Sequence, residues 1–238
     1  SLAECAELDR AAWNAAFRMH DVPWEWSWDT YGELMRPGGD RQLAARYAAH
    51  LGEVLEAEAL DATHQRLFAA MLAEEVPLRP GVARVLAWAA RGGVKLAIVS
   101  RAELQPVSAL LRATARARAG ISFDVAVLRS DVSHMAPDPA AMLLAVEKLG
   151  VGPGRSVVVA DTPVAAEAAR GAGLPVLAFP GRLAEAEPEL FEGIPLTHAL
   201  APEALTRAWR DGPVTGAGGE GARGRPAMCS ADPGPGPQ

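Results

Sequence analysis

At 238 residues the chain has room for one core domain and a smaller inserted one. With half its residues hydrophobic and 22% charged, it has the make-up of a soluble globular enzyme. A net charge of −6 and an isoelectric point near 5.4 argue against nucleic-acid binding, which normally needs a basic face, and no apolar run approaches the roughly 20 residues needed to cross a bilayer.

The sequence begins at Ser1 and goes straight into a helical pattern, with no basic n-region, apolar h-region or small-residue cleavage site. The two cysteines, Cys5 and Cys229, lie at opposite ends. They offer no disulfide framework or metal pair, so a reducing compartment is expected. Up to about Val76 everything reads as helix. Ala12, Ala15, Ala16 and Met19 recur on one face of the first segment. Asp40 is placed to cap a helix carrying Leu43, Tyr47 and Leu51, and Leu60, His64, Leu67 and Met71 continue the spacing. The aromatic cluster Trp24, Trp26, Trp28 and Tyr31 falls just before a Pro-and-Gly break at Arg36-Pro37-Gly38-Gly39.

From Pro77-Leu78-Arg79-Pro80-Gly81 onward, short apolar runs alternate with amphipathic helices. Runs at 94–99, 123–128 and 156–160 precede helices near 103–115, 138–149 and 163–172, and a fourth run spans 175–179. Strands of about five residues, apolar on both faces and joined by helices, predict a parallel sheet covered on each side. The fold class is therefore α/β: a Rossmann-like three-layer core, residues 79–211, with an all-α domain over residues 1–78. Residues 212–238 are Gly- and Pro-rich and cannot bury enough apolar surface to offset their ordering entropy, so they read as a disordered tail.

Ligands of open parallel sheets bind beyond the carboxyl ends of the strands. Ser100-Arg101 follows the first run, where a hydroxyl and nearby backbone N–H groups suit an anion. Asp161-Thr162 follows the third run, where a carboxylate suits a hard cation such as Mg²⁺. Between them, the loop from Asp131 to Asp138 carries His134, which can present positive charge to a phosphate. Each also has a plain structural reading: Ser100 as a turn residue, Asp161-Thr162-Pro163 and Asp138-Pro139 as helix starts, His134 as a solvated loop histidine.

The order and spacing of these segments resemble the motifs of the haloacid dehalogenase (HAD) superfamily. Ile98-Val99-Ser100 resembles its second motif, Met135-Ala136-Pro137-Asp138 its third, and Val158-Val159-Ala160-Asp161-Thr162 its fourth. The amino-terminal stretch through Asn14-Ala15-Ala16-Phe17 and Trp24-Glu25-Trp26-Ser27-Trp28 is similar to the helical cap of the CbbY-like sugar-phosphate phosphatases, close to the β-phosphoglucomutases. The resemblance covers about residues 1–200. It implies hydrolysis of a phosphorylated sugar in two steps: an aspartate attacks phosphorus to give an aspartyl-phosphate, and a second aspartate two residues on protonates the leaving oxygen. By position, Ser100 and His134 are the catalytic candidates and Asp161 the Mg²⁺ ligand. Gly38, Gly39, Arg41 and Arg101 are the substrate-binding ones. A monomer is expected, with no nucleic-acid or membrane partner on the grounds of charge and hydropathy given above, and the branch suggests a bacterial cytoplasm or a plastid stroma.

The departures from the family pattern are specific. The family's Asp-x-Asp-Gly should stand immediately before Ser1 and is not in the sequence. Ala160 occupies a usually acidic position, His134 stands for a lysine, and Gln42 for an arginine next to Arg41. In the family core the first-motif strand lies between the strands that here are 156–160 and 94–99. Without it, either a gap of about two strand spacings, roughly 9.6 Å, remains, or those strands pair directly. Ser1 is accordingly read as an artificial start, an expectation that a complete transcript beginning at or just before Ser1 would sink. The alternative function is a catalytically retired protein of the same fold that binds a sugar phosphate or a protein partner.

Overall fold

The computed structural model describes residues 2–35, 43–74, 78–102, 104–117, 122–134, 138–185 and 188–212. The Gly-Pro break, the Asp40 cap and the expected tail from residue 213 lie outside them.

Four helices come first: α1 (Ala6–Met19), α2 (Trp28–Met35), α3 (Leu43–Leu51) and α4 (Ala57–Ala73). They close around one aromatic cluster that includes Trp13, Phe17, Trp24, Trp26, Tyr31 and Leu60. The Phe17 and Trp26 rings meet edge to face at 4.7 Å, and Tyr47 stands edge-on to Trp24 at 5.1 Å. Two positions expected on apolar faces turn outward, Met19 at 60% exposure and Leu51 at 45%. The bulkier Trp13 and Phe17 take the inner face of α1. In α3, Leu43, Ala44 and Ala48 take it.

The remainder alternates as expected: α5 (Val82–Arg91), β1 (Ala97–Val99), α6 (Leu104–Ala117), β2 (Val125–Val127), α7 (Ala140–Leu149), β3 (Val158–Ala160), α8 (Pro163–Gly171), β4 (Val176–Ala178) and α9 (Pro202–Asp211). Side chains alternate across the strands to build two helix-covered faces. Val158, Ala160, Val176 and Ala178 pack with the α8 residues Ala166 and Ala169 and with Met142 of α7. Val157, Val159, Leu177 and Phe179 pack with Val82 and Leu86 of α5 and Leu205 of α9. This is a three-layer α/β/α core.

Among the described residues the four strands form two separate parallel pairs. Ala97 is opposite Val125 in β1–β2, and Val158 is opposite Val176 in β3–β4. Of the two arrangements anticipated, β1 and β3 adopt the one in which they do not pair. Their side chains still share both layers, because Val99 joins the Ala160 cluster and Leu96 joins the Val157 cluster. β4 is buried throughout, whereas β1 is only half-buried along its length.

Candidate active site

Ser100 directly follows β1, its N–H donating to Val127 C=O at 3.0 Å as a last rung of the ladder. Its hydroxyl oxygen accepts the N–H of Ala102 at 3.1 Å. The turn reading is thus correct, and it leaves the Ser100 O–H proton to be donated elsewhere. Arg101 comes next in the same half-buried turn.

Asp161 directly follows β3. Thr162 caps α8, its Oγ1 accepting the Ala165 N–H at 3.2 Å, with Pro163 at the first helical position. The cap role therefore belongs to Thr162 and not to Asp161. Burial works against the charge of Asp161. The positive charge of the amino terminus outweighs that, with a backbone hydrogen bond and then Arg79 adding to it, and holds its carboxyl below the usual carboxylate range. Ala160, just before it, is 1% exposed and belongs to the apolar α8 layer.

His134 lies exposed in the loop before α7. Asp138 accepts the Ala140 N–H at 2.8 Å, the helix-start role expected of it. Gly38, Gly39, Arg41 and Gln42 lie outside the described residues. The structure therefore sets Ser100 and Asp161 at the ends of two strands whose side chains share one layer, with His134 on a separate exposed loop.

Sequence spacing carries no signal for a second polar cluster, because its members are far apart in the chain. The Asp9 carboxylate accepts the Tyr31 hydroxyl at 2.7 Å and stands 2.9 Å from Nε2 of His64. His64 is 4% exposed and stacks on Trp13 at 3.9 Å and 8°. Burial, with Asp9 alongside, pushes the Tyr31 hydroxyl well above its ordinary pKa. Cys5 stands just before α1, its thiol donating to Ala3 C=O at 3.6 Å. Its thiol is pushed up to about 11 by burial and by the charges of Glu4, Asp161 and Asp9, partly offset by nearby positive charge.

A doubly covered parallel α/β core with a hydroxyl and a carboxylate at its strand ends is of the class whose ligands bind beyond those ends. Comparison with known proteins makes this particular: the model of the haloacid dehalogenase-like hydrolases matches residues 3–173, and the chain belongs to that family, on its CbbY-like branch. It is 36% identical to protein CbbY of Cereibacter sphaeroides over 185 residues, which is 76% of this chain and 80% of that protein. The crystal structure of a CbbY variant from Rhodobacter sphaeroides in complex with xylulose-(1,5)bisphosphate superposes with a TM-score of 0.75 at 33% identity, covering 86% of this chain and 94% of the other. The β-phosphoglucomutase of Clostridium difficile shares the fold, at 15% identity and a TM-score of 0.67 over 89% of this chain and 93% of the other.

Proposed function

We propose that this hydrolase releases phosphate from a phosphorylated sugar, with the helices α1–α4 acting as a cap over the strand ends that carry Ser100 and Asp161. The observation that carries the reading is the placement of Ser100 and Asp161 directly at the ends of β1 and β3, where Thr162 and not Asp161 does the helix capping. The relative with xylulose-(1,5)bisphosphate bound supports a phosphorylated sugar as the ligand class.

Ser100 donates its hydroxyl proton to a phosphoryl oxygen while its own oxygen stays fixed by Ala102. Arg101 supplies positive charge to the substrate side, and His134 a ring N–H in the place of the family's lysine. Mg²⁺ suits Asp161, because this ion binds through one or two carboxylates together with phosphate oxygens and retained waters. Among the described residues no group of three His, Cys, Asp or Glu side chains could form a protein-only cage. When bound, the ion would offset negative charge on the phosphoryl group. The attacking aspartate of this chemistry belongs to an Asp-x-Asp-Gly segment that the 238 residues do not contain.

The second reading, a binding protein with a retired site, is favoured by Ala160. Its methyl group is buried in the α8 layer where the family pattern has an acid, so the position has become core.

The test is phosphate release from a panel of sugar mono- and bisphosphates in Mg²⁺, using the protein encoded by the full parent gene. Release that disappears in Asp161→Ala and falls roughly 100-fold in Ser100→Ala is expected. A folded protein with an intact Asp-x-Asp and no turnover would establish the binding reading instead.

A further inference from the structure

Two backbone segments cross between the helical cap and the core, and they touch each other. Ala3 bridges Leu78 in antiparallel fashion, and Arg79 N–H donates to Leu2 C=O at 3.0 Å. Adjacent crossing segments make a natural hinge, which fixes position more firmly than rotation. Cap and core also meet where α4 packs along α6.

A third tie lies after β4. Gly181 N–H donates to Asp161 C=O at 3.0 Å, and Arg182 N–H donates to the Glu4 carboxylate at 3.1 Å. The Gly181 carbonyl accepts the N–H groups of Ala184 and Glu185 at 2.8 and 3.0 Å. Arg79 secures the start of the turn, its guanidinium donating to Phe179 C=O at 3.0 Å and to Pro180 C=O. The backbone of this turn is therefore fixed to the core, while two of its side chains leave for the cap. The Arg182 guanidinium lies 4.2 Å over the Trp28 ring. Leu183 joins the cap's aromatic cluster, with its Cδ2 3.6 Å from where a Cβ on Gly32 would stand. Trp28 and Gly32 are four residues apart on α2 and so share one helix face.

We propose that Arg182 and Leu183 form a clasp that holds the cap to the core through this face of α2, making Arg182 a positioning residue for the cap. The same turn holds the main chain of Asp161, so cap orientation is tied to the residue at the end of β3. Any consequence for turnover rests on the phosphatase reading; the clasp itself does not. An exposed cation–ring contact changes a two-state population by about two- to fivefold. That is enough to bias the cap without being needed for folding.

The experiment measures cap-to-core distances by pulsed electron–electron double resonance. Spin labels are placed at Val54→Cys in the cap and Glu147→Cys on α7, in a Cys5→Ser, Cys229→Ser background. Arg182→Ala and Trp28→Leu are each expected to enlarge the longer-distance population by about two- to fivefold, and Arg182→Lys, which keeps the cation, to stay near the parent. A distribution unchanged by either Arg182→Ala or Trp28→Leu overturns the clasp, since α4–α6 packing and the backbone ties would then hold the cap without it. Widened distances in a protein that releases no phosphate leave the clasp standing and count against the phosphatase reading only.

Discussion

Asn14 and Trp26 hold each other by a reciprocal pair of hydrogen bonds. The Asn14 Nδ2 donates to Trp26 C=O at 3.0 Å, and Trp26 N–H donates to Asn14 Oδ1 at 2.8 Å. Both residues are buried. The side-chain amide of α1 thus acts as a strand partner for an irregular stretch of backbone that would otherwise bury unsatisfied polar groups.

Asn14→Leu keeps much of the volume and removes both bonds. The Trp26 carbonyl retains Arg10 Nη1 at 2.7 Å, but the N–H is left without an acceptor. The cost is about 1–3 kcal/mol, and the melting temperature should fall by roughly 2–4 °C for each kcal/mol. Thermal melts followed by far-UV circular dichroism check this; an Asn14→Leu protein that melts with the parent would show that water already serves the Trp26 N–H.

The strands were the most legible part of the fold. Apolar runs at 94–99, 123–128, 156–160 and 175–179 each contain an observed strand, because strands covered on both faces need continuous apolar sequence. The aromatic cluster Trp24, Trp26, Trp28 and Tyr31 was visible as composition. Its packing was not, since the rings meet Trp13, Phe17 and Tyr47 from other helices. Ser100 and Asp161 were legible because strand-end positions are local. The contacts of Asp9 with Tyr31 and His64, and of Arg182 with Trp28, join residues distant in the chain, and no local spacing encodes them.

Asp61 gives a pH prediction. It lies on α4 with Oδ1 buried and without a hydrogen-bond partner. Burial raises its pKa above the ordinary 3.8, opposed by the His64 charge. The folded protein therefore keeps this proton to higher pH than the unfolded chain does. Its favourable contribution is fully present below 3.8 and is lost as pH rises through the folded value. Asp61→Asn should melt about 1–3 °C higher than the parent at pH 7, with the gain shrinking to nothing towards about pH 3. A gain that persists unchanged at low pH would trace to packing and not to charge.

Gly81 is where the backbone leaves least choice. It opens α5 with φ at +81°, a left-handed conformation that side chains rarely adopt. A Cβ there would stand 1.9 Å from the Leu200 carbonyl oxygen and 2.7 Å from the Leu200 nitrogen. Those atoms are backbone, and Leu200 N–H is itself bound to Pro80 C=O at 2.9 Å. The clash can be relieved only by moving α5 away from the segment that leads into α9, which opens the layer shared by Val82, Leu86, Leu200 and Leu205. Gly81→Ala should cost about 3–5 kcal/mol from strain and overpacking together, lowering the melting temperature on the order of 10 °C. Gly93 separates the two causes: its φ is also positive, at +62°, but nothing lies within 4 Å of its absent Cβ. Gly93→Ala should therefore cost only the conformational part, about 1 kcal/mol. Equal losses at the two positions would mean that the close approach to Leu200 contributes nothing.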